Sequence, residues 1–334
     1  MTLIGYHASH EQFGPRELLD NVQLAEAAGF SAAKSSDHFH PWSERQGQSG
    51  FAWSWLGAAM QSTSLPFGIV SAPGYRYHPA VLAQAAATIG VMFPRRLWLA
   101  LGSGEAINEA ITGLEWPEKS ERNARLSECA QIVRALFAGE TVTHRGRVTV
   151  IEAKLYSRPV EAVELYGAAV TAETARLVAS WSDGLLTTAG ADADKVRRVI
   201  DAFYAGGGEG KPVVLQAALS WARDETAAIS EAMHQWSGCT IGGEVAWDLR
   251  RPSDFDRVAA GIAESDMRAS LPVSASFAFH QDWIARLLEL APAEVHLHQV
   301  GRNQRDFIDS FGTHVLPALA PLLGRHGMAA PRVM

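Results

Sequence analysis

An acid, two imidazoles and an indole stand close together in the segment Asp37-His38-Phe39-His40-Pro41-Trp42. A histidine titrates near neutral pH, so it can accept or donate a proton, while a neighbouring carboxyl group or aromatic ring orients it. The proline after His40 ends the preceding extended run and turns the chain, which places Trp42 near the histidines. These residues predict proton-transfer chemistry; the alternative is a polar strand end with one chance histidine.

Two further segments combine polar groups with tight turns. Gly102-Ser103-Gly104-Glu105-Ala106-Ile107-Asn108-Glu109 follows the apolar run Leu97–Leu101, and its glycines would let the backbone approach a flat ligand closely. The segment 69–79 combines a strand end, a turn and Pro79, which suits the first position of a helix. The aromatic side chains of this third segment either line the same site or only cover the protein core.

Short β-like runs alternate with amphipathic helices along the chain. The predicted helices lie at 15–28, 49–63, 79–93, 119–138, 172–181, 193–206, 224–236, 280–290 and 303–319. The predicted strands are Leu3–Ser9, Ser31–Asp37, Pro66–Pro73, Leu97–Gly104, Glu164–Val170, Asp183–Gly190, Pro212–Trp221 and Glu294–Gly301. This alternation predicts an α/β fold, a (β/α)₈ TIM barrel, whose active site lies at the carboxyl ends of the strands.

A doubly wound open sheet is the competing fold. It would show a glycine-rich turn after the first strand, but that strand runs into Tyr6-His7-Ala8-Ser9-His10-Glu11. Two insertions interrupt the alternation: residues 140–160 predict a small hairpin, and residues 237–275 predict a mobile lid or binding loop. We find no linker, so one domain is expected over residues 1–334.

Composition excludes several classes of function. The formal charge of −7 and the lack of a basic stripe argue against a nucleic-acid partner. No apolar run approaches the ~18 residues that span a bilayer, and the first residues lack a signal-peptide pattern. The two cysteines, Cys129 and Cys239, do not suffice for a disulfide framework. We therefore expect a cytoplasmic protein.

The three polar segments together resemble the luciferase-like flavin and deazaflavin oxidoreductases, and most closely the F420-dependent glucose-6-phosphate dehydrogenase group. The resemblance runs from Tyr6 to Phe307. It implies that His38 is the base, that Glu105 is the proton donor beside the cofactor ring, and that Trp42 lines the site. It also implies a non-proline cis peptide at Ile69–Val70 or Val70–Ser71. The residues expected to bind the cofactor are Asp37, Val70, Ser71, Ser103, Asn108, Ala169, Val170 and Thr171, and those expected to bind the substrate are Glu11, His40 and Thr188.

Departures from the group shape the prediction of ligands. Ala191 stands where the group has a lysine for the sugar phosphate, and Ser270 and Arg257 stand near its other basic positions. Ala168-Ala169-Val170-Thr171 replaces a Gly-Gly turn that receives the cofactor phosphate. A side branch suggested to use an ordinary flavin is the most similar. We therefore predict FMN or coenzyme F420, with a slight preference for FMN, and a small organic substrate other than glucose 6-phosphate.

Other interpretations remain open. His38 and His40 would share a strand face and could bind a metal with His296 or His298, as in metal-dependent hydrolase barrels. A flavin-dependent monooxygenase that uses oxygen, and a barrel that binds a flavin without catalysis, are further alternatives. Aromatic residues on the second helix (Phe51, Trp53 and Trp55) predict a homodimer interface, unless these rings face the protein's own barrel.

Overall fold

Parallel strands alternate with helices and close into a barrel in the computed structural model, which describes residues 1–242 and 244–324. The barrel order is β1-β10-β9-β8-β7-β4-β3-β2, and β1 pairs in parallel with both β10 and β2. The barrel strands are β1 Leu3–Ala8, β2 Ala32–Ser35, β3 Phe67–Ser71, β4 Leu97–Leu101, β7 Glu164–Ala168, β8 Gly184–Ala189, β9 Val213–Leu219 and β10 Glu294–Gln299. The predicted (β/α)₈ TIM barrel is confirmed, and the open sheet is excluded.

Helices surround the barrel and bury one face each. On α5 (Lys119–Ala138), the buried face contains Leu126, Cys129, Val133 and Leu136, as expected of the amphipathic helix predicted at 119–138. Side chains of Thr171, Asp192, Asp224 and Ser276 accept backbone N–H groups at the starts of α6, α7, α8 and α12. The helices are α1 Pro15–Ala27, α2 Ala52–Ser62, α3 Pro79–Met92, α4 Ala106–Glu109, α5 Lys119–Ala138, α6 Ala172–Ala179, α7 Ala193–Phe203, α8 Glu225–Trp236, α9 Glu244–Asp248, α10 Pro252–Ala259, α11 Glu264–Ser270, α12 Phe277–Leu288, α13 Gln304–Ser310 and α14 Leu316–Leu323.

The two insertions differ from each other in structure. Strands β5 (Val142–Arg145) and β6 (Thr149–Ala153) pair antiparallel, as predicted for the hairpin. Residues 237–275 contain the short helices α9, α10 and α11, which the prediction of a mobile lid or binding loop did not include. Helices α10 and α11 are anchored because Phe255 and Met267 are almost fully buried. Residues 325–334 of the expected domain lie outside the described residues.

The backbone of β3 differs from the expectation drawn from the resemblance. All peptide bonds among the described residues are trans, including Ile69–Val70 and Val70–Ser71. The reason is local: Val70 and Ser71 continue the parallel register of β3 with β4, opposite Ala100 and Leu101. The backbone at Val70 and Ser71 therefore reaches the barrel rim as regular strand.

The aromatic residues near α2 do not form the exposed surface on which the homodimer prediction rested. The Trp53 and Trp55 side chains are only 7% and 4% exposed, and Trp55 donates its indole N–H to the carbonyl of Pro15 at 3.1 Å. Only Phe51 is largely exposed. The indole rings pack on the protein's own barrel because that burial removes their apolar area from water without a partner.

Within the part of the chain that the structure describes, none of the helices combines the length and apolar character required to cross a bilayer.

Candidate active site

A cavity of about 260 Å³ opens at the carboxyl ends of the barrel strands. Residues that belong to or follow β2, β3, β4, β7, β8 and β9 line it, so its walls come from distant parts of the chain. All catalytic and cofactor-binding residues predicted from the sequence lie in this lining, together with one predicted substrate residue: Asp37, His38, Trp42, Val70, Ser71, Ser103, Glu105, Asn108, Ala169, Val170, Thr171 and Thr188. Glu11 and His40 do not line it.

His38 lies at the centre of the polar groups in this cavity. Its Nε2 is 3.4 Å from Oε1 of Glu11 and 4.0 Å from Oε2 of Glu105. The Trp42 ring packs against the imidazole with a centroid distance of 4.8 Å, and Phe255 of α10 packs edge-on against Trp42. The imidazole is 14% exposed, so it is held by neighbours while one edge remains accessible to a ligand.

Asn108 determines where the proton of a neutral His38 sits. The backbone N–H of Phe39 donates to Oδ1 of Asn108 at 2.9 Å, which directs the amide nitrogen toward His38. That Nδ2 lies 3.1 Å from Nδ1 of His38, and an amide nitrogen can only donate. The neutral ring therefore carries its proton on Nε2, on the side of Glu11 and Glu105.

The two carboxyl groups beside His38 have opposite protonation tendencies. Burial alone would raise the pKa of Glu11, but the charge of His38 and hydrogen bonds from Ser36 and Ser9 outweigh it and lower the pKa. Burial raises the pKa of Glu105, although its side chain is 28% exposed to the cavity. Glu11 is thus held as a carboxylate while Glu105 retains a proton more readily, which is the arrangement that separates base and acid roles.

A buried ion network supports the cavity from below. Arg76 is 3.3 Å from Oδ1 of Asp37 and 3.7 Å from Oε1 of Glu109, and both carboxyl side chains are only 1% exposed. Tyr77 donates its hydroxyl to Oδ1 of Asp37 at 2.9 Å, and Ser71 donates to Oδ2. Because Asp37, Ser71 and Glu109 line the cavity, this network fixes three of its wall groups.

Glu109 makes the stability of the fold depend on pH. Burial raises its pKa from 4.5 to about 7, so folding favours the protonated carboxyl group. Its stabilising contribution is complete below the unfolded value of 4.5 and is lost as pH rises through about 7. The difference in the free energy of unfolding between Glu109→Gln and the wild type should shift in favour of the variant by up to roughly 3 kcal/mol from about pH 5 to about pH 8. Urea unfolding of both proteins at the two pH values measures this gain; an equal difference at both would contradict it.

His40 does not join His38 in the cavity. Its Nδ1 contacts the carbonyl oxygen of Ile107 at 2.6 Å, and its ring packs against Phe39. β2 ends at Ser35 and the chain bends at Phe39 and His40, so the i and i+2 side chains diverge and His40 does not line the cavity in which its substrate contact was predicted. No group of three or more potential metal ligands occurs among the described residues, and the metal-hydrolase alternative gains no support.

One side of the cavity carries two cations that the sequence interpretation missed. Lys119 and Arg122, from the first turn of α5, line the cavity near Thr171. The Lys119 ammonium group is 3.4 Å from Oγ1 of Thr171 and lies over the Trp247 ring. Lysine in the first turn of a helix opposes the helix dipole, and that unfavourable placement was the available signal. These cations and the start of α6 suit an anionic group.

Comparison with known proteins identifies the family. Residues 1–286 match the family described as luciferase-like monooxygenase. The chain belongs to this family. Two luciferase-like relatives are named F420-dependent glucose-6-phosphate dehydrogenase. The one from Microbacterium testaceum is 36% identical over 94% of this chain and 96% of its own length. The one from Intrasporangium calvum is 34% identical over 96% of this chain and 100% of its own length.

A solved luciferase-like structure is also similar. It is described as an F420-dependent secondary alcohol dehydrogenase in complex with an F420-acetone adduct. Its TM-score is 0.88 at 28% identity, and the match covers 96% of this chain and 99% of that one. The resemblance inferred from the sequence is therefore confirmed, and the protein is an oxidoreductase of the luciferase-like class that acts on a small molecule.

Proposed function

We propose that this protein is a dehydrogenase that transfers a hydride between coenzyme F420 and a small, uncharged secondary alcohol or its ketone. The observation that carries the proposal is His38 between a carboxylate, Glu11, and a carboxyl group of raised pKa, Glu105, at the cavity. Alcohol oxidation needs a base at the hydroxyl group and an acid at the ring, and this arrangement supplies both. The relatives named above favour F420, and none of them supports our initial preference for FMN.

The cavity residues fit a flat cofactor with an anionic tail. Val70, Ser71 and Ser103 place strand-end backbone and hydroxyl groups along the wall, where a ring system can lie. Thr171 and the start of α6, with Lys119 nearby, provide N–H, hydroxyl and ammonium donors for a phosphate group. When bound there, the deazaflavin would supply the hydride acceptor or donor.

The chain's own residues would handle the protons. His38 accepts the hydroxyl proton at Nε2, and the nearby Glu11 carboxylate stabilises the imidazolium that results. This role requires the tautomer with its proton on Nδ1, which needs the Asn108 amide to turn its oxygen toward the ring and give up the hydrogen bond from Phe39. Glu105 holds the proton on the cofactor side, and Trp42 shields the reacting atoms from water.

The substrate end of the cavity favours an uncharged molecule over a sugar phosphate. Among the described residues, Lys119 and Arg122 are the only basic side chains of the lining, and both lie on the side of Thr171. Ala191 is exposed and bonds through its backbone to Ser270, while Arg257 is paired with Asp254. A phosphate monoester at the other end would lose its hydration without gaining a cationic partner.

Titration of the apo-protein with F420 and with FMN, followed by fluorescence, tests the cofactor. We expect F420 to bind at least roughly ten-fold more tightly than FMN, a difference of about 1.4 kcal/mol. With F420 present, we expect a short secondary alcohol to be oxidised and glucose 6-phosphate to be left unchanged. Binding of FMN alone would overturn the cofactor proposal. Turnover of glucose 6-phosphate would overturn the substrate proposal.

The remaining alternatives and the assembly are separate questions. No contact among the described cavity residues favours oxygen as a co-substrate over hydride transfer to a ketone. The turnover assay with F420 also distinguishes a non-catalytic flavin-binding barrel, which would bind the cofactor without oxidising an alcohol. The homodimer and the cytoplasmic location remain proposals. The burial of Trp53 and Trp55 removes the argument for a dimer that the aromatic residues of the second helix supplied.

A further inference from the structure

A lysine crosses the interior of the barrel beneath the cavity. Lys34 of β2 is fully buried, and its Nζ lies 2.7 Å from Oε1 of Gln216 on β9. The strands β1 and β10 separate β2 from β9 in the barrel, so the two side chains meet across the core. Burial lowers the pKa of Lys34 to about 7, although the charge of Glu11 opposes this shift. A lysine with a single hydrogen-bond acceptor is costly to bury, so the pair requires an explanation.

The lysine fixes the orientation of the Gln216 amide. In its ammonium form Lys34 has donors and no acceptor, so the amide oxygen faces Lys34 at 2.7 Å and the amide nitrogen faces away. Gln216 lines the cavity and is partly exposed to it. Within the described residues its Nε2 donates no hydrogen bond, since the only bond of this side chain is the one from Lys34. The cavity floor thus presents an oriented, unused N–H donor.

We propose that Gln216 donates a hydrogen bond from Nε2 to a carbonyl oxygen of the bound ligand, and that Lys34 acts as a positioning residue for this amide. The inference rests on the proposed hydride-transfer function and adds a binding residue to it. Thr188, which pairs in register with Gln216 on the neighbouring strand, also lines the cavity and places a hydroxyl group at the same level. The carbonyl group belongs either to the cofactor ring or to the ketone.

Gln216→Glu separates the proposed role from a structural one. The carboxylate has the same shape and keeps the hydrogen bond from Lys34, but it has no N–H to donate and repels a carbonyl oxygen. We expect an unchanged or higher melting temperature and a roughly 10–100-fold loss of affinity for one ligand. A rise in the Kd for F420, followed by fluorescence, identifies the ring as the partner. A rise in the KM for the ketone at saturating F420, with little change in kcat, identifies the substrate.

Two further variants complete the experiment. Gln84→Glu makes the same chemical change on the exposed face of α3 and should leave both constants unchanged. Lys34→Met removes the group that orients the Gln216 amide but leaves Gln216 in place. We therefore expect it to lose affinity for the same ligand, but less than Gln216→Glu does. If Gln216→Glu binds F420 and the ketone within twofold of the wild type, the inference is wrong. If the wild type itself does not bind F420, it is the proposed function that fails.

Discussion

Replacing His38 with alanine should lower turnover by roughly 10²–10⁴-fold while F420 still binds, which is the usual range for a positioned acid–base group. The imidazole lies between Glu11 and Glu105. A methyl side chain at this position can neither accept the hydroxyl proton nor form a cation that the Glu11 carboxylate stabilises. Steady-state kinetics with a secondary alcohol measures the loss, and a fluorescence titration shows that the cofactor site is retained.

His40→Ala is the matched control for this prediction. It removes the same side chain from the same loop, but His40 contacts the carbonyl of Ile107 and does not line the cavity. We expect its turnover to stay within a few-fold of the wild type. Full activity of His38→Ala, or an equal loss in His40→Ala, would show that the base lies elsewhere, with Glu11 the next group to test.

Replacing Arg76 with methionine should destabilise the apo-protein by about 3–5 kcal/mol, because it leaves buried carboxylates without their counter-charge. Arg76 is 9% exposed, and its partners Asp37 and Glu109 are each 1% exposed. Methionine fills most of the same space, so the loss reflects charge rather than a cavity. Urea unfolding at about pH 8, where Glu109 is ionised, measures the effect.

The exposed pair of Arg223 with Asp306 provides the control for Arg76. The Arg223 side chain is 76% exposed, so Arg223→Met should leave the unfolding curve almost unchanged. Adding Glu109→Gln to Arg76→Met should recover part of the lost stability, because one of the two uncompensated carboxylates is removed. If Arg76→Met lowered the free energy of unfolding no more than Arg223→Met does, water or a rearrangement would have to compensate the charges of Asp37 and Glu109.

The sequence was informative wherever the signal was local. Strand and helix periodicity identified the barrel, and polar residues at or just after strand ends identified the walls of the cavity, such as His38, Glu105 and Thr188. In a closed parallel barrel all strands end at one rim, so residues distant in sequence could be expected in one site without knowledge of their contacts.

The sequence could not predict which side chains meet across the barrel. Lys34 and Gln216 are separated by 182 residues, and nothing near either of them indicates the other. Arg76 stood in a recognised segment, but only the fold brings it between Asp37 and Glu109. The orientation of His40 depends on the bend at Phe39 and His40 and on its contact with Ile107, and α10 and α11 depend on burying Phe255 and Met267.

The proton-transfer residues and the residues proposed to bind ligand lie on different strands of the barrel, which affects how the enzyme can evolve a new substrate preference. The proton-transfer groups follow β2 and β4, on either side of β3, whereas Thr188 and Gln216 belong to the neighbouring strands β8 and β9. Mutations on β8 and β9 can therefore alter which substrate is accepted, while the proton-transfer groups that follow β2 and β4 stay intact. Directed evolution toward new alcohols should accordingly concentrate beneficial changes around β8 and β9.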